Sequence, residues 1–199
     1  MRNVIVSEWM TLDGVVQSPS GPGEDPDGDF IHGGWHAPHF ADPRLQERVT
    51  ESIAGAGGYL LGRRTYQLFA AYWPTAPDTE SAVRNPLNER PKYVASGTLE
   101  EPLPWQNSHV LRDNVPRAVA ALKREKGNYL LVFGSTVLTR TLLEHDLVDE
   151  FRLVVDPVLV GRGKRIFEED VTRRDLDLVE SETTPSGALA VTYRLKRRG

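Results

Sequence analysis

Asn128-Tyr-Leu-Leu-Val-Phe-Gly-Ser-Thr136 sets the architecture of this chain. Residues 128–133 are an apolar run too short for a helix and rich in β-formers, so they read as a strand buried on both faces. Gly134 ends the run, and Ser135-Thr136 open a helix that carries Val137, Leu138, Leu142 and Leu143 on its apolar side. A buried strand that passes into a helix through one glycine is the joint of a parallel α/β sheet. The joint recurs upstream. Tyr59-Leu-Leu61 is a short strand stopped by Gly62, and Arg63–Tyr72 follows as a helix with Tyr66 and Phe69-Ala-Ala-Tyr72 on its apolar side.

Outward from these joints, Met1–Thr11 is a buried strand (Val4-Ile-Val6, Trp9, Met10) closing on Leu12-Asp-Gly14. A helix spans Pro43–Ala56. Asp42 is its N-cap, Pro43 takes the first position, and Leu45, Val49, Ile53 and Ala56 recur at helical spacing before Gly57-Gly58. Lys92–Ser96 and, more weakly, Ser108–Leu111 are strands. Asn114–Lys126 is an amphipathic helix through Val115, Ala118, Val119 and Leu122, ended by Gly127. Val148–Val160 alternates through Phe151, Leu153 and Val155, with Pro157 as an interruption. Leu176–Val179 and Ala188–Leu195 make an antiparallel hairpin across Pro185-Ser-Gly187. Four prolines (Pro74, Pro77, Pro86, Pro91) predict interrupted structure over residues 73–91. The fold class is therefore α/β, a mostly parallel central sheet with an antiparallel C-terminal edge. In such sheets ligands lie at the carboxyl ends of the strands, beside helix N-termini.

At 199 residues the chain fits one domain over 1–199, with a loop insertion at about 17–41. Residues 17–34 are Gly/Pro/Asp-rich without apolar periodicity, which predicts a long surface loop of the kind used as a lid or binding loop. The chain has no cysteine, which excludes disulfides, thiolate zinc sites and thiol catalysis. With one basic residue (Arg2) before the first strand, no leader is predicted, and the expected compartment is the cytoplasm. Apolar runs such as Tyr129–Phe133 fall far short of the ~20 residues of a membrane span. A formal charge of −4 argues against a nucleic-acid partner.

The candidate chemistry sits where strands end. In Leu61-Gly-Arg-Arg-Thr-Tyr66, Gly62 turns the backbone, the next helix points its N–H groups outward, and Arg63, Arg64 and Thr65 add two guanidinium arms and a hydroxyl: a phosphate cradle. Val132-Phe-Gly-Ser-Thr136 repeats the arrangement, and Ala95-Ser-Gly97 follows a third strand. Each alone is an ordinary strand-to-helix turn. Together they fit a ligand with several phosphates, such as a dinucleotide. Neither Gly-x-Gly-x-x-Gly after the first strand nor a Gly-Lys-Ser/Thr loop is present, so the standard dinucleotide fold and phosphate-loop nucleotidases are unsupported.

Thr11-Leu-Asp-Gly14, Gly62-Arg-Arg-Thr-Tyr66, Lys92-Tyr-Val-Ala-Ser96, Phe133-Gly-Ser-Thr136, Leu147-Val-Asp-Glu-Phe-Arg-Leu153 and Pro157-Val-Leu-Val-Gly-Arg-Gly-Lys-Arg-Ile-Phe167 occur in order over almost the whole chain. In this order they resemble the dihydrofolate reductase-like superfamily. The nearer likeness is to the reductase domain of the bifunctional riboflavin-biosynthesis deaminase–reductase and its stand-alone bacterial relatives. The resemblance implies a central sheet of about eight strands with NADPH across the strand ends. Gly62, Arg63, Arg64 and Thr65 would hold phosphates, and Ser96 would lie near the adenosine ribose phosphate. Gly134, Ser135 and Thr136, continuing into Val137 and Leu138, would take the pyrophosphate. Trp9, Asp13, Gly14 and Val16 would line the nicotinamide side. The chain departs from the pattern at Gly97, where many relatives have an arginine for the 2′-phosphate. It also lacks a clear counterpart of the buried acid of dihydrofolate reductases. Glu47 is the nearest, and a solvated helix acid explains it better; dihydrofolate reduction is not predicted.

Trp35, His36 and Phe40, in a stretch that recurs in the stand-alone relatives, read either as a substrate-pocket wall for a flat heterocycle or as a loop packed on the sheet. Asp156 reads as a pocket residue or a strand-end turn. Asp13 reads as a catalytic candidate or a turn former before Gly14. His32, His36 and His39 invite a zinc reading, but Gly33-Gly34 and Pro38 disfavour the helix that would align them, and no metal is predicted. Lys164-Arg165 and Lys196-Arg-Arg198 read as solvated surface. The expected activity is NADPH-dependent hydride transfer to a C=N or C=O of a small heterocycle, in the manner of a 5-amino-6-(5-phosphoribosylamino)uracil reductase or a pterin reductase. The alternative is a non-catalytic nucleotide- or small-ligand-binding protein on the same fold. Homodimerisation is a family expectation.

Overall fold

A computed structural model describes residues 1–167 and 172–196. The strands are β1 (Val4–Thr11), β2 (Gly58–Gly62), β3 (Lys92–Ala95), β4 (Ser108–Leu111), β5 (Leu130–Phe133), β6 (Glu150–Asp156), β7 (Leu176–Thr183) and β8 (Leu189–Leu195). The helices are α1 (Pro43–Gly55), α2 (Arg63–Tyr72), α3 (Ser81–Glu89), α4 (Val115–Arg124) and α5 (Thr136–Glu144). The sheet order is β4-β3-β2-β5-β1-β6-β8-β7. β1 to β6 run parallel, while β8 pairs antiparallel with β6 and β7. This is the expected α/β sheet with its antiparallel edge.

Alternation along the strands builds two apolar layers. On one face Val4, Val6, Val132 and Phe151 pack with Val119 of α4 and with Leu138 and Leu142 of α5. On the other, Ile5, Tyr59, Leu61 and Leu131 pack with Ile53 of α1, Tyr66 of α2 and Leu87 of α3. Both faces of the central strands are thus covered, which is why they read as continuous apolar runs.

The structure departs from the sequence reading in four places. Residues 73–91 are not merely interrupted: α3 forms across Pro86. Its carbonyl end is closed from beyond the helix. The buried Lys92 ammonium donates to the Leu87 and Arg90 carbonyls (2.7 and 3.0 Å) and lies 4.4 Å from the Trp105 ring. A cation at the C-terminal dipole offsets the backbone bond that proline removes, although burial pushes the lysine down to about 8. The fourth helix ends at Arg124, two residues before the expected Lys126. The loop after β1 is not all surface, since Val15–Pro19 are buried. Lys164-Arg165 is not free surface either. Lys164 Nζ bonds Asp25 and Asp27 at 2.7 Å each, and Arg165 Nε donates to the Asp13 carbonyl at 3.1 Å. Of the basic tail, Arg197 and Arg198 lie outside the described residues.

Candidate functional site

Because β2 and β5 are parallel neighbours in register (Gly58 with Leu130, Leu60 with Val132), the joints at Gly62 and Gly134 are neighbours at one edge. Ser135 ties them together: its Oγ accepts the Gly62 N–H at 2.8 Å and donates to Thr65 Oγ1 at 3.1 Å. A Cβ on Gly62 would stand 3.3 Å from that Oγ, a tight approach that any larger residue could keep only by shifting Ser135. Gly134 (φ 48°) and Ser135 (φ 57°) are both left-handed, which swings the chain from β5 into α5. α1 and α4 are capped by the side chains of Asp42 and Asn114, but α2 and α5 begin without a side-chain cap. Two sets of helix-opening N–H groups therefore lie side by side without a side-chain cap among the described residues, with the positive ends of two helix dipoles behind them. Thr136 and Val137 open α5 here, and Val137 is exposed. The Leu138 side chain turns into the core, so what it could offer a cofactor is its backbone N–H.

The two guanidinium arms do not act as a pair. Arg63 Nη1 donates to Thr98 Oγ1 at 3.2 Å, towards the end of β3. Arg64 turns the other way and is held by Asp25 and Asp27 of the loop after β1. Ser96 follows β3, but no helix follows it: its Oγ accepts the N–H groups of Thr98 and Leu99 in a tight turn. The third joint of the sequence reading is therefore a hydroxyl-closed turn beside Gly97.

Across the end of β1, the expected site residues make contacts of their own. Asp13 accepts from Thr11 Oγ1 (2.6 Å), Gly161 N (2.8 Å) and Val160 N (3.3 Å). Burial pushes this carboxyl up, but those hydrogen bonds outweigh it and leave it below the usual range. Asp13 is a tie between β1 and residues 160–161, ill-suited to donate a proton. Gly14, expected on the nicotinamide side, sits in a turn at φ 84°, whereas Val16 is buried in the core. Glu47, the other catalytic candidate, is half exposed on α1 and paired with Arg44.

The predicted substrate wall is mostly interior. Trp35 packs with Val15 and Phe30 and donates Nε1–H to the Gln17 carbonyl at 2.8 Å. His36 is 1% exposed, stacked on Trp9 (centroids 4.1 Å apart) and hydrogen bonded through Nδ1 to Asp156 Oδ2 at 2.7 Å. Asp156 is fully buried. The His36–Asp156 pair pins the loop before α1 onto the end of β6, which is the loop-packing alternative. Phe40, at 39% exposure, is the member of the set that still presents surface. Among the described residues no group of three or more His, Cys, Asp or Glu could hold a metal ion.

Sequence reasoning missed Glu8. It lies on β1 one residue beyond Ser7, the last β1 residue paired with β5. Its Oε2 is buried with no hydrogen-bond partner among the described residues. Burial first, then the charge of Glu24, pushes its carboxyl well above the usual range. The signal was available: a lone acid inside an otherwise apolar strand. On the opposite face of β1, a groove of about 450 Å³ runs between α1 and strands β6, β8 and β7, with Ser7 and Trp9 on its floor. Its walls carry Arg44, Arg48, Arg152 and Arg194 against Glu47, Glu51, Glu150 and Glu180, which balance in charge.

The profile of the RibD C-terminal domain family matches residues 2–190. YyaP of Bacillus subtilis (strain 168), an uncharacterised protein, is 29% identical over 96% of this chain and 94% of its own length. YwjB of the same organism, also uncharacterised, is 30% identical over 55% of this chain and 58% of its own. Among solved structures, a riboflavin biosynthesis protein assigned in Shewanella sp. PV-4 superposes with a TM-score of 0.71 at 20% identity, covering 98% of this chain and 99% of that one. A pyrimidine reductase-like protein of Corynebacterium diphtheriae gives 0.68 at 14%, covering 99% and 93%. Dihydrofolate reductase of Enterococcus faecalis, complexed with NADP(H) and RAB-propyl, gives 0.58 at 14%, covering 98% and 97%. The fold is dihydrofolate reductase-like.

Proposed function

The chain belongs to the RibD C-terminal domain family, and from that premise we propose that it is an NADPH-dependent reductase of a small polar heterocycle. The observation that carries this reading is the pair of uncapped helix starts, α2 and α5, bridged by Ser135 at the carboxyl edge of the sheet. The donor set fits a dinucleotide: backbone N–H groups for a pyrophosphate, the Thr65 and Ser135 hydroxyls beside them, and Gly62, where a Cβ would stand tight against Ser135. Arg63, extended towards Thr98, would hold the 2′-phosphate in place of the arginine missing at Gly97. When bound, a reduced nicotinamide supplies a hydride from its C4 to the carbon of a C=N or C=O bond.

The chain's own contribution is binding, orientation and exclusion of water. Trp9, fixed by its stack on His36, forms a rigid floor between the strand ends and the groove. The groove would take the substrate. Because its arginines are matched by glutamates, it favours a neutral polar ring over a multiply charged phosphoribosyl compound. Glu8 faces away from this groove, on the opposite side of β1, so the proton that completes the reduction would come from water held among the groove's polar groups.

Thermal unfolding with NADPH, NADH or no ligand tests the reading. Ligand at 100 times its dissociation constant should add ~2.7 kcal/mol. The shift should be larger with NADPH than with NADH, and Arg63→Ala should remove that difference. Equal shifts in the wild type would refute the 2′-phosphate assignment. Stabilisation without turnover on any pterin or pyrimidine tested would favour the non-catalytic alternative.

A further inference from the structure

The loop after β1 brings its own anions to the place where a ligand's phosphate is expected. Asp27 meets Arg64 as a two-pronged pair, Oδ2 to Nη1 at 2.7 Å and Oδ1 to Nη2 at 2.9 Å. This is the fork geometry in which a guanidinium also holds phosphate. Asp25 meets the same Nη1. Lys164, a hundred residues away in sequence, bonds both carboxylates at 2.7 Å. Gln17 presents the two acids by donating Nε2–H to the carbonyls of Asp25 and Asp27, both at 2.9 Å, and Ser18 Oγ bonds the Asp25 backbone. Arg64 adjoins Thr65, whose hydroxyl touches Ser135 between the uncapped helix starts.

We propose that residues 20–29 are a self-docked anionic lid, in which Asp25 and Asp27 occupy Arg64 and Lys164 and a phosphate-bearing ligand must displace them to bind. The proposal rests on reading the α2–α5 cleft as the phosphate site. Three features suit a contact that opens. The Arg64 and Asp27 side chains are about half exposed, so solvent weakens their attraction. The closed loop places Glu24 where its charge disfavours ionisation of the buried Glu8 carboxyl. Opening relieves that repulsion. Moreover the clasp is not a proton switch. Arg64 and then Lys164 hold Asp27 far below the usual carboxylate range, so it stays charged at any physiological pH. The competitor that releases it is an anion, not a proton.

The test is affinity for NADPH and for inorganic pyrophosphate, measured by calorimetry on wild type and on Asp25→Asn/Asp27→Asn, with foldedness checked by thermal unfolding. If the closed loop holds nine-tenths of the free protein, the double variant should bind both ligands about tenfold more tightly. In the wild type, NADPH should speed amide hydrogen exchange over residues 20–29 rather than slow it. Equal or weaker binding by the folded variant overturns the lid and makes the carboxylates supports for Arg64. If the double variant does not fold, Asp27→Asn alone leaves the Asp25–Lys164 contact and should shift affinity in the same direction, and the exchange measurement decides without any variant. NADPH binding to neither protein while pyrophosphate prefers the variant would remove the cofactor reading and keep the lid. Binding of both ligands equally to both proteins would do the reverse, and no binding of either ligand to either protein would remove both.

Discussion

Replacing Ser135 separates the stability of the α2–α5 junction from its strain. The hydroxyl accepts the Gly62 N–H and donates to Thr65. In Ser135→Ala the Gly62 N–H loses its partner in a partly buried site, which should cost about 1–2 kcal/mol, the lower part of the range for a stranded buried donor. Ser135 also sits at φ 57°, ψ 46°, where a Cβ costs about 1 kcal/mol. Alanine keeps that Cβ and gains nothing back. Ser135→Gly loses the same hydrogen bond but sheds the strain, so it should be about 1 kcal/mol more stable than the alanine variant. Urea unfolding with an unchanged slope reads both differences. Both variants should also bind NADPH more weakly, because the freed Thr65 and Gly62 are no longer held in place. An alanine variant as stable as wild type, or more stable than the glycine variant, would show that the bridge and the strain are misjudged. Loss of stability with unchanged NADPH affinity would show that the junction does not face the cofactor.

Three further outcomes follow from single groups. Burial pushes Asp42 up, but the N–H groups of Ser186, Leu45 and Arg44 lower it to about 2. Its stabilising effect is therefore complete above its ordinary value of 3.8 and is lost as pH falls towards 2. The melting-temperature gap between wild type and Asp42→Ala should be flat near neutrality and close in acid; a gap that widens in acid contradicts this. Glu8 has the opposite sign: raised in the folded state, it binds its proton more tightly than the unfolded chain does, so stability falls as pH rises above 4.5, by at most ~1.4 kcal/mol per pH unit. Glu8→Gln should flatten that part of the pH–stability profile, and an unchanged profile would mean that Glu8 is ionised when folded. His36→Ala strands the fully buried Asp156 carboxylate and should cost about 3 kcal/mol by chemical denaturation. A cost under about 1 kcal/mol would mean that the pair does not pin the loop.

Local patterns carried the fold well because they were dictated by burial. The runs at Val4–Val6, Tyr59–Leu61 and Leu130–Phe133 are apolar since both faces of a parallel sheet are covered, and their glycine exits mark the carboxyl edge. α3 was hidden because proline is a local veto while the stabilising ammonium of Lys92 belongs to the next strand. At the site, Gly62, Thr65 and Ser135 were legible as joint residues, and their meeting follows from strand order alone. The partners of polar side chains were not legible. Nothing local in Asp25-Pro-Asp27 says that the two acids meet Arg64, 39 and 37 residues on, or Lys164, 139 and 137 residues on, because such contacts depend on the whole chain path. His36 looked like a pocket aromatic for the same reason: its burial is decided by Asp156, 120 residues on.

Charge in the groove bears most directly on which substrate the proposed reductase would take. A substrate carrying a phosphate needs uncompensated cations, because a carboxylate beside each arginine both satisfies the guanidinium and repels the anion. Here Arg44 is taken by Glu47 and Glu182, Arg48 by Glu180, and Arg152 by Glu150 and the Ser52 hydroxyl. Arg194 also leans on Glu150. The same compensation recurs at the lid, where Asp25 and Asp27 cover Arg64 and Lys164. The difference lies in what replaces the acids. At the lid the uncapped helix starts remain to receive a phosphate once the loop leaves, so displacement there can be favourable. In the groove no such second set of donors backs the arginines, and displacing the glutamates would leave several buried or half-buried charges without partners. On the proposed reading the two anion-covered regions would therefore take different ligands: the cleft the phosphates of a cofactor, and the groove an uncharged ring whose donors and acceptors match alternating guanidinium and carboxylate groups.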